Sequence, residues 1–164
     1  MGSRSLERGK AAMDNLGLKD SMELVQCDVS DDSSVAAAMA TTKASLEARG
    51  AKLFALVNNA GVGFRTAPQG SPKDQFLDIL NVNYNGVVRM SEAFLPLIDP
   101  EQGCIVNCGS GAGPGWCKTQ DSETKAFFAN ASGSLTFEAV EERKKSLIDG
   151  MPAEGYSMPN SNPT

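Results

Sequence analysis

The chain has 164 residues, 41% of them hydrophobic and 21% charged, and carries a net charge of −5. This is the composition of one ordinary globular domain, and its acidic balance argues against nucleic acid or an anionic membrane as a partner. Histidine is absent, which excludes Ser-His-Asp and Cys-His catalysis and every His-ligated zinc site.

In chain order, residues 4–16 read as a helix stopped at Gly17. Residues 22–27 read as a strand running into Asp28 and Val29. Ser30, Asp31 and Asp32 then open an Ala-rich helix that continues to Arg49 and ends at Gly50. Residues 53–57 form an apolar run of strand length, which suits the middle of a parallel sheet covered on both faces. The turn Asn58-Asn59-Ala60-Gly61 caps it, and a loop follows to Gly70. Ser71 and Pro72 start a helix through Asn83-Tyr84-Asn85-Gly86 toward Phe94. Residues 104–108 are the next strand, running into Gly109-Ser110-Gly111. A polar stretch comes next. Thr136 caps a helix through Ile148, and the Pro-containing tail from Met151 reads as loop. The Asn130-Ala131-Ser132 sequon is read as a chance match.

Alternating β and α elements predict a parallel α/β sheet, with ligands at the carboxyl ends of the strands. All three strand ends carry small or polar residues: Asp28, the turn 58–61, and Gly109-Ser110. Each feature alone has a plainer reading. Asn58-Asn59-Ala60-Gly61 can be an Asn-rich turn, Asp28 a helix cap, Asn83 an exposed polar position and Ser110 a turn serine. No pair among Cys27, Cys104, Cys108 and Cys117 has CxxC spacing, so no metal site is expected. No apolar run reaches the roughly 18 residues that span a bilayer. A soluble cytoplasmic protein is the expectation.

Taken in order, these features resemble the short-chain dehydrogenase/reductase family, and within it the carbonyl reductase-like members. The likeness lies in Ser3-Arg4-Ser5, Gln26-Cys27-Asp28-Val29, Leu56-Val57-Asn58-Asn59-Ala60-Gly61, Asn83-Tyr84-Asn85-Gly86 and Ile105-Val106-Asn107. It implies a partial Rossmann-like parallel sheet with flanking helices, lacking the first two strands and the C-terminal part. Residues 1–110 would be the central part of an NAD(P)-binding domain, and 111–164 a helical insertion and flexible tail. The implied activity is hydride transfer from NADPH to a ketone, aldehyde or quinone. The resemblance gives Asn83 and Ser110 the catalytic Asn and Ser roles. It places Arg4 at the ribose phosphate, Asp28 and Val29 beside adenine, and Asn58, Asn59, Ala60 and Gly61 along the ribose and nicotinamide.

The family's Gly-rich pyrophosphate turn and its Tyr-x-x-x-Lys pair are absent. Tyr84 and Tyr156 are the two tyrosines, and Tyr156 is followed four residues on by Asn160. The cofactor site is therefore expected to be incomplete, and the chain alone inactive and poorly stable. The alternative is a non-catalytic binding or regulatory module pairing with a full-length reductase. A monomer or a homodimer fits equally.

Overall fold

The structure is a computed structural model and describes residues 1–18, 20–63, 70–129 and 135–151. The tail with Tyr156, the sequon and most of the 62–70 loop lie outside the described residues. The chain divides into two compact units, one of residues 1–65 and 77–108, the other of 66–76 and 109–164.

Among its described residues the first unit contains four strands: β1 (Gly2–Ser3), β2 (Val25–Gln26), β3 (Ala55–Asn58) and β4 (Cys104–Asn107). They form two separate parallel pairs, β1 with β2 and β3 with β4. β1 was not visible in the sequence, because two residues carry no periodicity. Helix α1 (Leu6–Leu16) starts on Ser5, whose hydroxyl accepts from the Arg8 N–H, and ends on Gly17 at φ 66°, a left-handed conformation that glycine adopts without strain. Helix α2 (Asp32–Ala48) is capped by Asp31, whose carboxylate accepts from the Ser34 N–H at 2.6 Å.

Helix α3 (Pro72–Leu80) passes into a π-helical turn over Asn81–Asn85 and then into α4 (Gly86–Phe94). The sequence predicts one continuous helix here. The wider turn falls where three of five residues are Asn, a poor helix former, and π-turns are frequent at functional sites. Gly86 follows because α4 lies against the Val29 turn. A Cβ there would come within 3.0 Å of Val29 Cγ2 and 3.2 Å of the Val29 carbonyl oxygen.

Cys27, Val35, Ala38, Leu56 and Phe94 form the core, joining β2, α2, β3 and α4. The expected burial of β3 on both faces is corrected. Leu56 faces the core at 8% exposure, but Val57 is 56% exposed on the opposite face, beside the exposed Val106 of β4.

The second unit includes α5 (Ala112–Lys118), α6 (Ser122–Ala129) and α7 (Phe137–Asp149). The first two occupy the stretch that the sequence left unassigned. Gly and Pro inside α5 lower its propensity, and α6 is too short for a clear period. Thr136 caps α7 as expected, accepting from the Ala139 N–H at 3.2 Å. Arg143 of α7 donates to the Thr124 hydroxyl of α6 and lies 5.9 Å from the Phe127 ring centroid.

Candidate functional site

β1 and β2 run parallel, so their carboxyl ends bring Arg4 and Asp28 to the same side. Gln26 fixes the join by donating from Nε2 to the Arg4 carbonyl at 3.4 Å. Asp28 is not the cap of α2; that is Asp31. Instead, Asp28 Oδ1 accepts from the Ser30 N–H at 3.0 Å and from the Ser30 hydroxyl at 2.6 Å, closing a local turn. The Ser30 bonds, aided by the Arg4 charge, hold the Asp28 carboxyl below its usual range. Asp28 is thus an anion at neutral pH, with the exposed Arg4 guanidinium close enough to stabilise it.

The Val29–Ser30 side of this turn is tied to α4 and the π-helical turn. Arg89 donates to the Val29 carbonyl at 2.6 Å and to Asn81 Oδ1 at 3.3 Å, and pairs with Asp32. Asn81 in turn donates to the Ser30 carbonyl at 3.3 Å.

The end of β3 is built differently. Asn58 is buried at 8% exposure, and its side chain points away from the strand tip. Its Nδ2 donates to Asn107 Oδ1 at 2.8 Å and to the Ser91 hydroxyl at 3.2 Å, locking β3 to both β4 and α4. Asn59, Ala60 and Gly61 are exposed beyond it. Asn83 holds the far side of this turn. Its Oδ1 accepts from the Val62 N–H at 2.8 Å, and its Nδ2 donates to the Val62 carbonyl at 2.9 Å. The π-helical turn therefore presents Asn83 as a two-point splint for the backbone just past Gly61.

Arg4, Asp28, Val29, Asn58, Asn59, Ala60, Gly61 and Val62 all line one cleft of about 700 Å³, within the usual range for small-molecule sites. Its rim at the strand ends is polar, while Met90 and Phe94 contribute to its apolar interior. Asn83 reaches this rim through Val62. Ser110 belongs to the second unit, where its hydroxyl accepts from the Ala112 N–H at 3.1 Å at the start of α5. The sequence reading missed Ser91, Arg89 and Val62. Asn107 was legible only as part of a strand pattern, since its pairing with Asn58 needs the β3–β4 register.

A dinucleotide fits this donor set in kind. Arg4 offers a guanidinium to a phosphate, the small residues 60–61 admit close approach to the backbone, and Asp28 and Val29 offer a carboxylate and an apolar side chain to a base. The described residues contain no cluster of three or more His, Cys, Asp or Glu arranged to hold a metal ion. No helix among them is long and apolar enough to cross a membrane.

A parallel α/β unit of this kind places its ligand crevice at the carboxyl ends of the strands, where the polar rim of the cleft lies. The chain belongs to the short chain dehydrogenase family, whose profile matches residues 1–143. Its fold is accordingly a partial Rossmann-like α/β fold, and members of the family are oxidoreductases that use NAD(P). Among curated relatives, the chain is 40% identical over 98 residues to 3beta-hydroxysteroid dehydrogenase dhs-16 of Caenorhabditis elegans, covering 59% of this chain and 25% of that protein. The chain thus spans about a quarter of the length of this relative. Among solved structures, salutaridine reductase of Papaver somniferum superposes with a TM-score of 0.68 at 24% identity, covering 90% of this chain and 60% of that one, a likeness of fold. NADPH-bound carbonyl reductase from chicken fatty liver gives 0.53 at 25% identity, covering 68% and 46%.

Proposed function

We propose that this chain is the central part of the cofactor domain of an NADPH-dependent carbonyl reductase-like oxidoreductase. The observation that carries the reading is the Asn83 splint. A π-helical turn aims one side chain at both backbone groups of Val62, fixing the turn 58–62 at the polar end of the cleft. Arg4 supports NADPH over NADH, since a guanidinium beside the strand end suits a ribose phosphate. The NADPH-bound carbonyl reductase relative supports the same choice.

The bound dinucleotide would supply the hydride to a small carbonyl substrate. The chain's own residues hold and orient. Asn58 locks the strand, Asn83 splints the turn, Arg4 meets the phosphate, and Asp28 and Val29 flank the base. Ser110 is proposed to donate a hydrogen bond to the substrate oxygen. Neither tyrosine has a lysine four residues on, so proton donation has no family-type donor in this sequence. The chain alone is therefore proposed to bind without turnover.

Saturation-transfer NMR with NADPH and NADH tests this. NADPH should bind, and Arg4→Ala should weaken NADPH while leaving NADH unchanged. Equal binding of both cofactors, insensitive to Arg4→Ala, overturns the NADPH reading. NADPH oxidation with a quinone or aldehyde by the purified chain overturns the claim of no turnover.

A further inference from the structure

β4 is the end strand of its pair. β3 lies along one side of it, and among the described residues no strand pairs with the other side. The ladder fixes which groups face that open side. The Cys104 and Cys108 N–H groups donate to the Phe54 and Asn58 carbonyls at 2.9 and 3.0 Å. Backbone groups alternate along a strand, so Cys104, Val106 and Cys108 turn theirs toward β3, while Ile105 and Asn107 turn theirs outward. Side chains alternate with the same period. Cys104, Val106 and Cys108 therefore share the face opposite the core, where Val106 lies beside Val57. Both valines and both cysteines are exposed.

Four residues along a strand span about 13 Å, too far for Cys104 and Cys108 to bridge within one chain. Their spacing is, however, symmetric about Val106, as Cys-x-Val-x-Cys. When two copies of β4 pair antiparallel with Val106 opposite Val106, Cys104 of each copy faces Cys108 of the other. Ile105 and Asn107, whose backbone groups point to the open side, then form the hydrogen-bonded pairs. The cysteines fall in the non-hydrogen-bonded pairs, where facing Cα atoms lie about 4.5 Å apart. A disulfide spans Cα separations of roughly 4.4–6.8 Å. Registers centred on Cys104 or on Cys108 pair like cysteines and leave the other thiol of each chain unmatched. The pattern thus selects a second copy of this chain as the occupant of the edge, in one register.

We propose that the open edge of β4 is a thiol-dependent dimer interface, with β4 antiparallel to β4 about Val106 and closed by two Cys104–Cys108 disulfides between copies. A pairing of about five residues on each strand buries far less than the roughly 1,200–2,000 Å² of a stable interface, so the reduced chains associate weakly and the disulfides hold the dimer. The oxidant is a small-molecule disulfide such as oxidised glutathione. A protein thiolate attacks it, forming a mixed disulfide and releasing one small thiol. The facing thiolate then attacks the protein sulfur of that mixed disulfide and releases the second. Each protein disulfide therefore reduces one small disulfide to two thiols.

The test uses the full chain with Cys117→Ser throughout, equilibrated in oxidising glutathione buffer and read by non-reducing electrophoresis and intact mass. The chain with both β4 cysteines should form a dimer that reductant returns to monomer. Its mass should be four hydrogens below that of two reduced chains, one pair for each disulfide, and a deficit of two overturns the register without recourse to any variant. Cys104→Ser and Cys108→Ser should each stay monomeric alone, because each remaining thiol faces a serine. A mixture of the two, one carrying a size tag, should give the mixed dimer at about tenfold or more the yield of either alone. Circular dichroism identical to the parent confirms that both variants fold. Dimers formed as readily by either variant alone indicate contact between like cysteines and overturn the proposal. So does a parent chain that stays monomeric, or a mixture that gains nothing over its components.

Discussion

The two units of this chain hold themselves together by different means. In the first, Cys27, Val35, Ala38, Leu56 and Phe94 come from two strand segments and two helices that lie far apart in sequence, and they meet in one core. In the second, the buried side chains among the described residues are Thr124 and Met151, while Trp116, Phe128 and Phe137 stay 42–51% exposed. Its rings contact one another edge-on, Trp116 with Phe128 at 5.8 Å and Phe127 with Phe128 at 5.1 Å. The first unit is built on non-local burial, whereas the second is local helix with a thin apolar seam. Every residue of the cofactor reading except Ser110 lies in the unit with the core. A site that must hold a ligand's shape needs side chains locked from several directions, and only the first unit supplies that.

The largest test of this contrast is Phe94→Ala. Phe94 is 5% exposed and seated in the core beside Leu56, so its truncation should cost about 3–5 kcal/mol. Urea unfolding followed by far-UV circular dichroism should show the first unit lost or strongly destabilised. Trp116 is the single tryptophan and reports on the second unit, and its emission midpoint should move less. Midpoints that shift together would make the chain one cooperative body and remove the contrast.

A middle-sized effect is expected from Arg89→Ala. Arg89 joins the Val29 carbonyl, Asn81 and Asp32, so it ties the Asp28–Ser30 turn to the π-helical turn that carries Asn83. The Asp32 end is exposed and contributes little, but the carbonyl bond is charge-assisted and partly buried. The loss should be about 1–2 kcal/mol. It should be accompanied by broadened NMR signals from Val29, Ser30 and Val62. Unchanged signals at Val62 would show that the two turns are held independently.

The sequence carried the elements with strong local signals. Thr136 before α7 and Gly17 after α1 act as the caps expected of them, and caps are written in a few adjacent residues, whereas α1 starts at Leu6 on Ser5, two residues later than the sequence reading began it. The polar ends of β2 and β3 were likewise legible, because strand ends show as an apolar run meeting small or polar residues. Three features were not. β1 is too short to have a period. The π-helical turn differs from α-helix by one residue per turn, which Asn81, Asn83 and Asn85 hint at but do not specify. The direction of Asn58 depends on the register of Asn58 with Asn107 and on Ser91 of α4, and neither partner is near it in sequence. Asn58 lines the cleft and is at the same time tied to Asn107 and Ser91, a double placement that only the register of the strands reveals.

The smallest effect distinguishes the thiols. Cys27 is buried in the first unit, with Sγ 3.6 Å from Met90 Sδ, while Cys104 and Cys108 are exposed and Cys117 of the second unit is half-buried. Burial, together with the neighbouring Asp28 charge, pushes the Cys27 thiol above its ordinary value. Below the ordinary thiol value, Cys27 is protonated in both folded and unfolded chains, and stability does not depend on it. As pH rises past that value, the unfolded chain releases the proton and the folded chain keeps it. Stability should fall until the folded thiol also ionises. Cys27→Ala should flatten this alkaline decline relative to the wild-type chain when urea midpoints are compared across the alkaline range. An equal slope in wild type and Cys27→Ala would place the alkaline sensitivity outside the core of the first unit, where the contrast between the two units says it should lie.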